Sequence, residues 1–463
     1  MDFTAKEFGA SFKEFMEQMA SQGPAEDPVF VRRLRDHFQC EPATLPVVTE
    51  KFEMYDHANV HVAIDNQLTQ PGWSFAIIGI TGHQKYMGIS LADLVAPRTG
   101  LMGGAPATEG PVEYVNITLD GDRVLTCVHC GLFFAKRNDE RLTILLNAGS
   151  DFRPFQKVTV EVMARKKEEA ESFLSNLRLV LRKRNVYRGH VLSVGHNDMH
   201  GLEIQFHHLP NIERKNIILP DGLLERIERQ TIHFSRHSQK LLAAGRHLKR
   251  GLLLFGAPGT GKTLTAMYLA RAIRDRTVLL LTGRGLGLLG QSCALARALQ
   301  PSTVILEDVD LVAEERTHQA GCAQPLLFEL LNEMDGLSDD VDVLFLLTTN
   351  RADLLEPALA ARPGRIDQSF EIPRPDTSCR KRLFELYSKG LTLNVQDLPR
   401  FIERTDGASP AFIRELMRKA ALFAADDGDE LAVSDRHIDE ALHELLVEGG
   451  ELTKSLLGFH AGR

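Results

Sequence analysis

The chain has 463 residues, 43% hydrophobic and 25% charged; at ~150 residues per domain this allows about three domains, and it excludes disorder throughout. Net charge is −8, from 54 basic and 62 acidic residues, which argues against a whole-molecule binder of nucleic acid or anionic membrane. No apolar run approaches the ~18 residues of a membrane span, six scattered cysteines are too sparse for a disulfide framework, and MDFTAKEFGA is not read as a signal peptide, so a cytoplasmic protein with reduced thiols is expected.

Residues 1–20 set Phe8, Phe12, Phe15, Met16 and Met19 at helical spacing, and 28–39 do the same with Phe30, Val31, Leu34 and Phe38. A helical hairpin over 1–43 is expected, its apolar stripe packed on the chain's own body. Strand patterns follow at 60–64, 74–80, 113–119, 123–128, 132–136 and 142–147, with a loop over 99–111 and turns at Asp120-Gly121-Asp122 and Arg137-Asn138-Asp139. Residues 165–184 predict a helix with Phe173, Leu174, Leu177, Val180 and Leu181 on one face. Its basic tail (Arg182, Lys183, Arg184, then Arg188) suits a helix C-terminus. A hairpin over 191–206 closes an α+β domain, 44–210, without identifiable chemistry and assigned to substrate or partner recognition. Residues 211–246 predict a connecting helical region. Strands and helices then alternate over 247–376, the pattern of a parallel α/β sheet. Only helical patterns fill 377–450, and 451–463 are a tail.

Four signals carry chemistry. Gly256-Ala257-Pro258-Gly259-Thr260-Gly261-Lys262-Thr263 follows the strand GLLLF and opens a helix. It fits the phosphate-loop pattern, in which backbone N–H groups cradle phosphate oxygens, Lys262 reaches the β- and γ-phosphates and Thr263 ligates Mg²⁺. Next, the buried strand Thr303–Leu306 ends in Glu307-Asp308-Val309-Asp310, placing adjacent carboxylates where ligands bind in open α/β sheets. Asn350 ends the following strand, where a carboxamide can orient an attacking water. Finally, Arg362 and Arg365, fixed by Pro-Gly, can present guanidinium groups to a phosphate; the spacing does not say whose.

Together these runs resemble the AAA group of ATPases, the branch that includes proteasomal ATPases and membrane-associated AAA proteases. The matching motifs are FGAPGTGKT, VILEDVD, LLNEMDGL, LLTTNRADLLEPAL and ARPGRID, within about 245–448. The resemblance implies an α/β P-loop module plus a small helical lid, separate from the N-terminal α+β domain. It implies ATP and Mg²⁺ as ligands and a homo-oligomeric ring, commonly of six, that remodels a protein client. It also implies that Asn350 sits beside the γ-phosphate, that Arg362 and Arg365 reach a neighbouring subunit's ATP, and that Gly407 and Ala408 lie near the adenine.

Two departures matter. The usual Asp-Glu pair is reversed, so Glu307 takes the Mg²⁺ side, directly or through water, and Asp308 the general-base position. Asp308 is one methylene shorter than the family's glutamate, so its carboxylate falls short by ~1.5 Å unless the backbone or a water compensates. The segment expected to line a ring pore reads Gly285-Leu-Gly-Leu-Leu-Gly290, with Leu288 and Leu289 as an apolar grip in place of an aromatic. No H-E-x-x-H occurs, so a metalloprotease arrangement is absent from the sequence. Cys127, His129 and Cys130 form a single C-x-x-C in a strand pattern whose alternation splits them between faces, and are not read as a zinc site. The histidines at 190, 196, 200, 207 and 208 fall on an expected exposed hairpin. Two alternatives to a protein remodeller stay open: an ATP-regulated switch or scaffold, and a nucleic-acid motor or clamp loader using a basic track from Arg178 to Arg188.

Overall fold

The structure is a computed structural model that describes residues 8–15, 29–81, 89–95, 107–121, 123–149, 157–196, 201–273, 275–310, 329–330, 332–334, 336, 338, 340–353, 366–428 and 430–448. The chain divides into two compact units: Met1–Val186 with His196–Ile204, and Tyr187–Gly195 with Gln205–Arg463.

In the first unit, helix α1 (8–15) leaves Phe8, Phe12 and Phe15 exposed, with Phe8 stacked on Phe12. This corrects the expectation that the first helix packs on the chain's own body; α2 (Val29–Phe38) does so, burying Phe30, Leu34 and Phe38. The sheet comprises β1 (Val47–Glu53), β2 (Ser74–Thr81), β3 (Thr108–Gly110), β4 (Glu113–Thr118), β5 (Val124–Arg137), β6 (Glu140–Asn147) and β7 (Lys157–Ala164). It is antiparallel, ordered β1-β7-β6-β5-β2-β3, with β4 also on β5. Three sequence expectations change. Residues 60–64 belong to helix α3 (His57–Leu68), not a strand: Val60, Ala63, Ile64 and Leu68 share one buried helical face, which overrides the local alternation of VHVAI. The two strands expected at 123–128 and 132–136 are one, β5. The loop expected over 99–111 contains β3 at its end, and its residues 99–106 lie outside the described residues.

The sheet is apolar on both faces because helices cover both. Alternate residues of β6 and β7 pack with α3 and α5 (Lys167–Lys183) on one side, while Leu145 and Met163 pack with α2 and α4 (Leu91–Val95) on the other. Burial of the Cys127 side chain pushes its thiol up to about 11.

The second unit holds the expected α/β module and lid. Its sheet comprises β8 (Val191–His196), β9 (Leu202–His207), β10 (Arg250–Phe255), β11 (Thr277–Leu281), β12 (Ser302–Leu306), β13 (Val343–Thr349) and β14 (Gln368–Glu371), ordered β14-β10-β13-β12-β11-β8-β9. Strands β10 to β14 pair in parallel, and β8 adds in parallel to β11. The base of the 191–206 hairpin, expected to close the α+β domain, therefore extends the α/β sheet, while His196–Ile204 fall in the first unit. In the expected connecting region, α6 (Leu223–Glu228) and the chain before it bury Ile212, Ile217, Leu224 and Ile227 against that sheet's core. Helix α7 (Lys262–Ala272) follows β10, and α8 (Leu289–Ala298) lies between β11 and β12.

The lid packs α9 (Thr377–Tyr387), α10 (Leu398–Arg404), α11 (Pro410–Asp427) and α12 (Asp435–His443) around Phe384, Phe401, Phe412 and Leu416. Side-chain caps start three of them: Asp376, Asp397 and Ser409 accept from the N3 amide, satisfying donors that a helix start leaves free. The lid is not wholly helical, as its sequence suggested: β15 (Thr392–Asn394) and β16 (Ala432–Ser434) pair in parallel. Before α6, consecutive residues divide between the two halves of the unit. Ile217 and Leu219 sit in the α/β core and Ile218 packs on the lid core, while Arg382 of α9 donates to the Leu219 carbonyl.

Candidate active site

Strand β10 delivers the chain into the phosphate loop between β13 and β14, at the carboxyl end of the sheet. Gly256 is required by close approach: a Cβ there would stand 2.3 Å from the Ile372 carbonyl oxygen. Gly259 has φ +75°, and a Cβ on it would meet Ser409 Oγ at 2.8 Å, while its carbonyl accepts the amide of Ala411 at 3.2 Å. The loop and the start of lid helix α11 thus interlock through a glycine. Helix α7 begins at Lys262 with its amide-rich end toward the loop, a ready site for phosphate.

Lys262 is buried, and its ammonium donates to Gly256 O (3.1 Å), Ala257 O (2.9 Å) and Asn350 Oδ1 (2.8 Å). Burial pushes the amine below the ordinary lysine range, and the charges of Asp308 and Asp310 pull it partly back. The other end of the Asn350 carboxamide donates from Nδ2 to Asp308 Oδ1 at 3.3 Å. Asn350 therefore bridges the cation and the carboxylate that the sequence singled out separately. Asp310, in sequence only the last carboxylate of the run after β12, fixes this bridge: its Oδ1 accepts from Thr349 Oγ1 (2.8 Å) and from the Asn350 amide (3.1 Å).

The reversed carboxylates have different surroundings. Asp308 lines the cleft and Glu307 does not. Asp308 lies in the left-handed region at φ +47°, which costs of order 1 kcal/mol in a non-glycine residue. Glu307 keeps one carboxylate oxygen sealed from solvent, without a hydrogen-bond partner among the described residues. Burial, then the neighbouring Asp308 charge, raise its carboxyl above the ordinary range.

The cleft measures about 900 Å³, ample for a nucleotide. Pro258, Gly259, Gly261, Lys262 and Thr263 line its floor, and Tyr387, Lys389, Arg414 and Met417 its lid side. The lid-side group was missed in sequence, although residues 410, 414, 417 and 421 recur at helical spacing along one face of α11. Of the other loop residues, Thr260 is buried and bonds from its hydroxyl to Ala257 O. Gly407 and Ala408 precede α11 off the cleft wall, and Ala408 is fully buried. Leu288 and Leu289 are 6% and 1% exposed. They are buried within the chain itself, which corrects the expectation that they form an apolar pore grip. Arg362 and Arg365 lie outside the described residues.

Residues 252–374 match the family model described as ATPase family associated with various cellular activities (AAA). These residues form an AAA ATPase domain. The chain is 32% identical over 239 residues to the ATP-dependent zinc metalloprotease FtsH 3 of Symbiobacterium thermophilum, covering 48% of this chain and 37% of that protein. It is 29% identical over 276 residues to the proteasome-activating nucleotidase of Thermococcus onnurineus (57% and 64%). It is 35% identical over 188 residues to the 26S proteasome regulatory subunit 6B homolog of Dictyostelium discoideum (38% and 46%). The chain therefore spans between about a third and two thirds of the length of these relatives. The ATPase match lies in residues 252–374, and no described helix is long and apolar enough to cross a membrane.

Proposed function

We propose that the protein hydrolyses Mg²⁺-ATP as a ring of identical subunits and couples turnover to remodelling of a protein partner recognised by the N-terminal α+β unit. The observation that carries the reading is the chain Lys262–Asn350–Asp308 across the floor of the cleft, beneath the lid. Lys262 binds the β- and γ-phosphates, Asp308 takes the proton of the attacking water, and Asn350 orients that water between them. Thr263, on the cleft floor, and Glu307, with its orphaned carboxylate oxygen, fit a Mg²⁺ ion and would hold it, Glu307 directly or through water. When bound, the ion neutralises charge on the β- and γ-phosphates. Arg362 and Arg365 act on the nucleotide of the neighbouring subunit, and Gly407 and Ala408 set the lid's approach to the adenine. The names of the nucleotidase and proteasomal relatives favour a protein client, and net charge of −8 disfavours nucleic acid.

The burial of Leu288 and Leu289 favours a second reading, in which ATP binding switches an interaction and hydrolysis resets it without threading a polypeptide. Assembly is tested by mixing Arg362→Ala with Lys262→Ala subunits. Each alone should be inactive, and mixed interfaces should recover turnover. Full activity of the unmixed wild-type protein as a monomer at high dilution would refute the ring. A partner released from the Asp308→Asn protein by ADP, but left unaltered by wild-type turnover, would select the switch.

A further inference from the structure

We infer that Thr348, the residue two before Asn350 on β13, is a positioning residue that holds Asp308 in its left-handed conformation and so makes a short carboxylate serve as the base. The inference rests on the assignment of Asp308 as that base. Along an extended strand, side chains alternate between faces. If β12 simply continued, Asp308 would fall on the face of Leu306, a core residue. The chain instead turns at Asp308, φ +47°. The amide of Asp308 donates to Thr348 Oγ1 at 3.1 Å, and its carboxylate stands on the cleft wall within reach of Asn350 Nδ2. Aspartate tolerates this region better than most residues but does not prefer it, so a specific partner is needed to hold it there.

Thr348 is fully buried and paired with Leu254 of β10, one residue past the last β12–β13 pair, Leu306–Leu347, so its hydroxyl is fixed in place. Its neighbour Thr349 points its own hydroxyl at Asp310. Successive threonines therefore grip alternate residues of the 308–310 segment: Thr348 takes the backbone of Asp308, and Thr349 the side chain of Asp310. The carboxylate shortened by one methylene reaches the cleft because the backbone beneath it has turned.

The test is steady-state ATPase kinetics and calorimetric ATP binding on the full chain. Thr348→Val removes the acceptor at nearly constant volume and should lower kcat by ~10–100-fold through misplacement of the base, with ATP affinity and KM within about twofold of wild type. Thr348→Ser keeps the oxygen and should hold kcat within about threefold. Because both residues act through one group, Thr348→Val combined with Asp308→Asn should be no slower than Asp308→Asn alone. Wild-type kcat in Thr348→Val, or ATP affinity falling in step with kcat, would overturn the inference. If valine does not fold, serine decides: a loss of tenfold or more in kcat at unchanged ATP affinity refutes the role of the hydroxyl. Undiminished turnover in Asp308→Asn would remove the base assignment itself, whereas its loss beside an unaffected Thr348→Val would remove only the role of Thr348.

Discussion

Replacing Lys262 by alanine separates nucleotide binding from folding. In the free protein the ammonium has three acceptors for its three N–H groups: two loop carbonyls and Asn350 Oδ1. Burial lowers its pKa, so holding the charge there already costs free energy; its removal relieves that cost and frees two loop carbonyls beside the cleft and the Asn350 oxygen on its wall. Thermal stability should therefore change little. Binding should change greatly. A charge-assisted hydrogen bond contributes ~1.5–3 kcal/mol, so two contacts to the β- and γ-phosphates are worth ~3–6 kcal/mol, or ~10²–10⁴-fold in Kd. Isothermal titration with ATP, alongside a melting curve of the same preparation, reads both quantities. A folded Lys262→Ala protein that binds ATP within about threefold of wild type would refute the assignment of this lysine to the phosphates.

The two carboxylates should separate by phenotype. Asp308→Asn should bind Mg²⁺-ATP normally and accumulate the ATP-loaded state, while Glu307→Gln should weaken the Mg²⁺ dependence of binding; the opposite pattern in paired titrations would reverse their roles. A fragment beginning at residue 187 should melt at a higher temperature than one beginning at 211, because only the first retains β8 on the edge of β11; equal melting temperatures would show that the hairpin adds nothing to the sheet. Burial holds the carboxyl of Asp56, just before α3, up at about 6, against an ordinary 3.8. The folded state thus keeps a proton that the unfolded chain has lost, so the stability this group confers is full below 3.8 and lost as pH rises through about 6. Asp56→Asn should raise stability at pH 8 by up to about 3 kcal/mol and leave it unchanged near pH 3.5; equal gains at both pH values in denaturant titrations would refute the cause.

The phosphate loop was legible in sequence because its requirements are local: glycines at fixed spacing, a strand before and a helix after. The pairing that makes Asp308 usable was not. It depends on the register of β12 against β13, which brings Thr348 to an amide forty residues away, and no spacing rule reports which of two adjacent threonines faces which partner. The lid side of the cleft was hidden for a related reason, since Arg414 and Met417 read as ordinary helix residues until the Gly259–Ala411 contact sets the rotation of α11. The residues of α3 misled in the other direction. Their β-branched alternation is a local preference, outweighed by one helical face packed with α5 on the sheet. The 191–206 hairpin was recognised as a hairpin, but its sheet could be assigned only by pairing to a strand more than eighty residues later.

Ile217, Ile218 and Leu219 act as a rivet through two plates. Because neighbouring side chains of an extended segment point opposite ways, the outer two are anchored in the α/β half and the middle one in the lid. A lid that swings while Ile218 stays seated must apply torque to this tripeptide, and the chain just upstream runs directly back to β9. The few bonds of this tripeptide are thus the pivot between the two walls of the cleft.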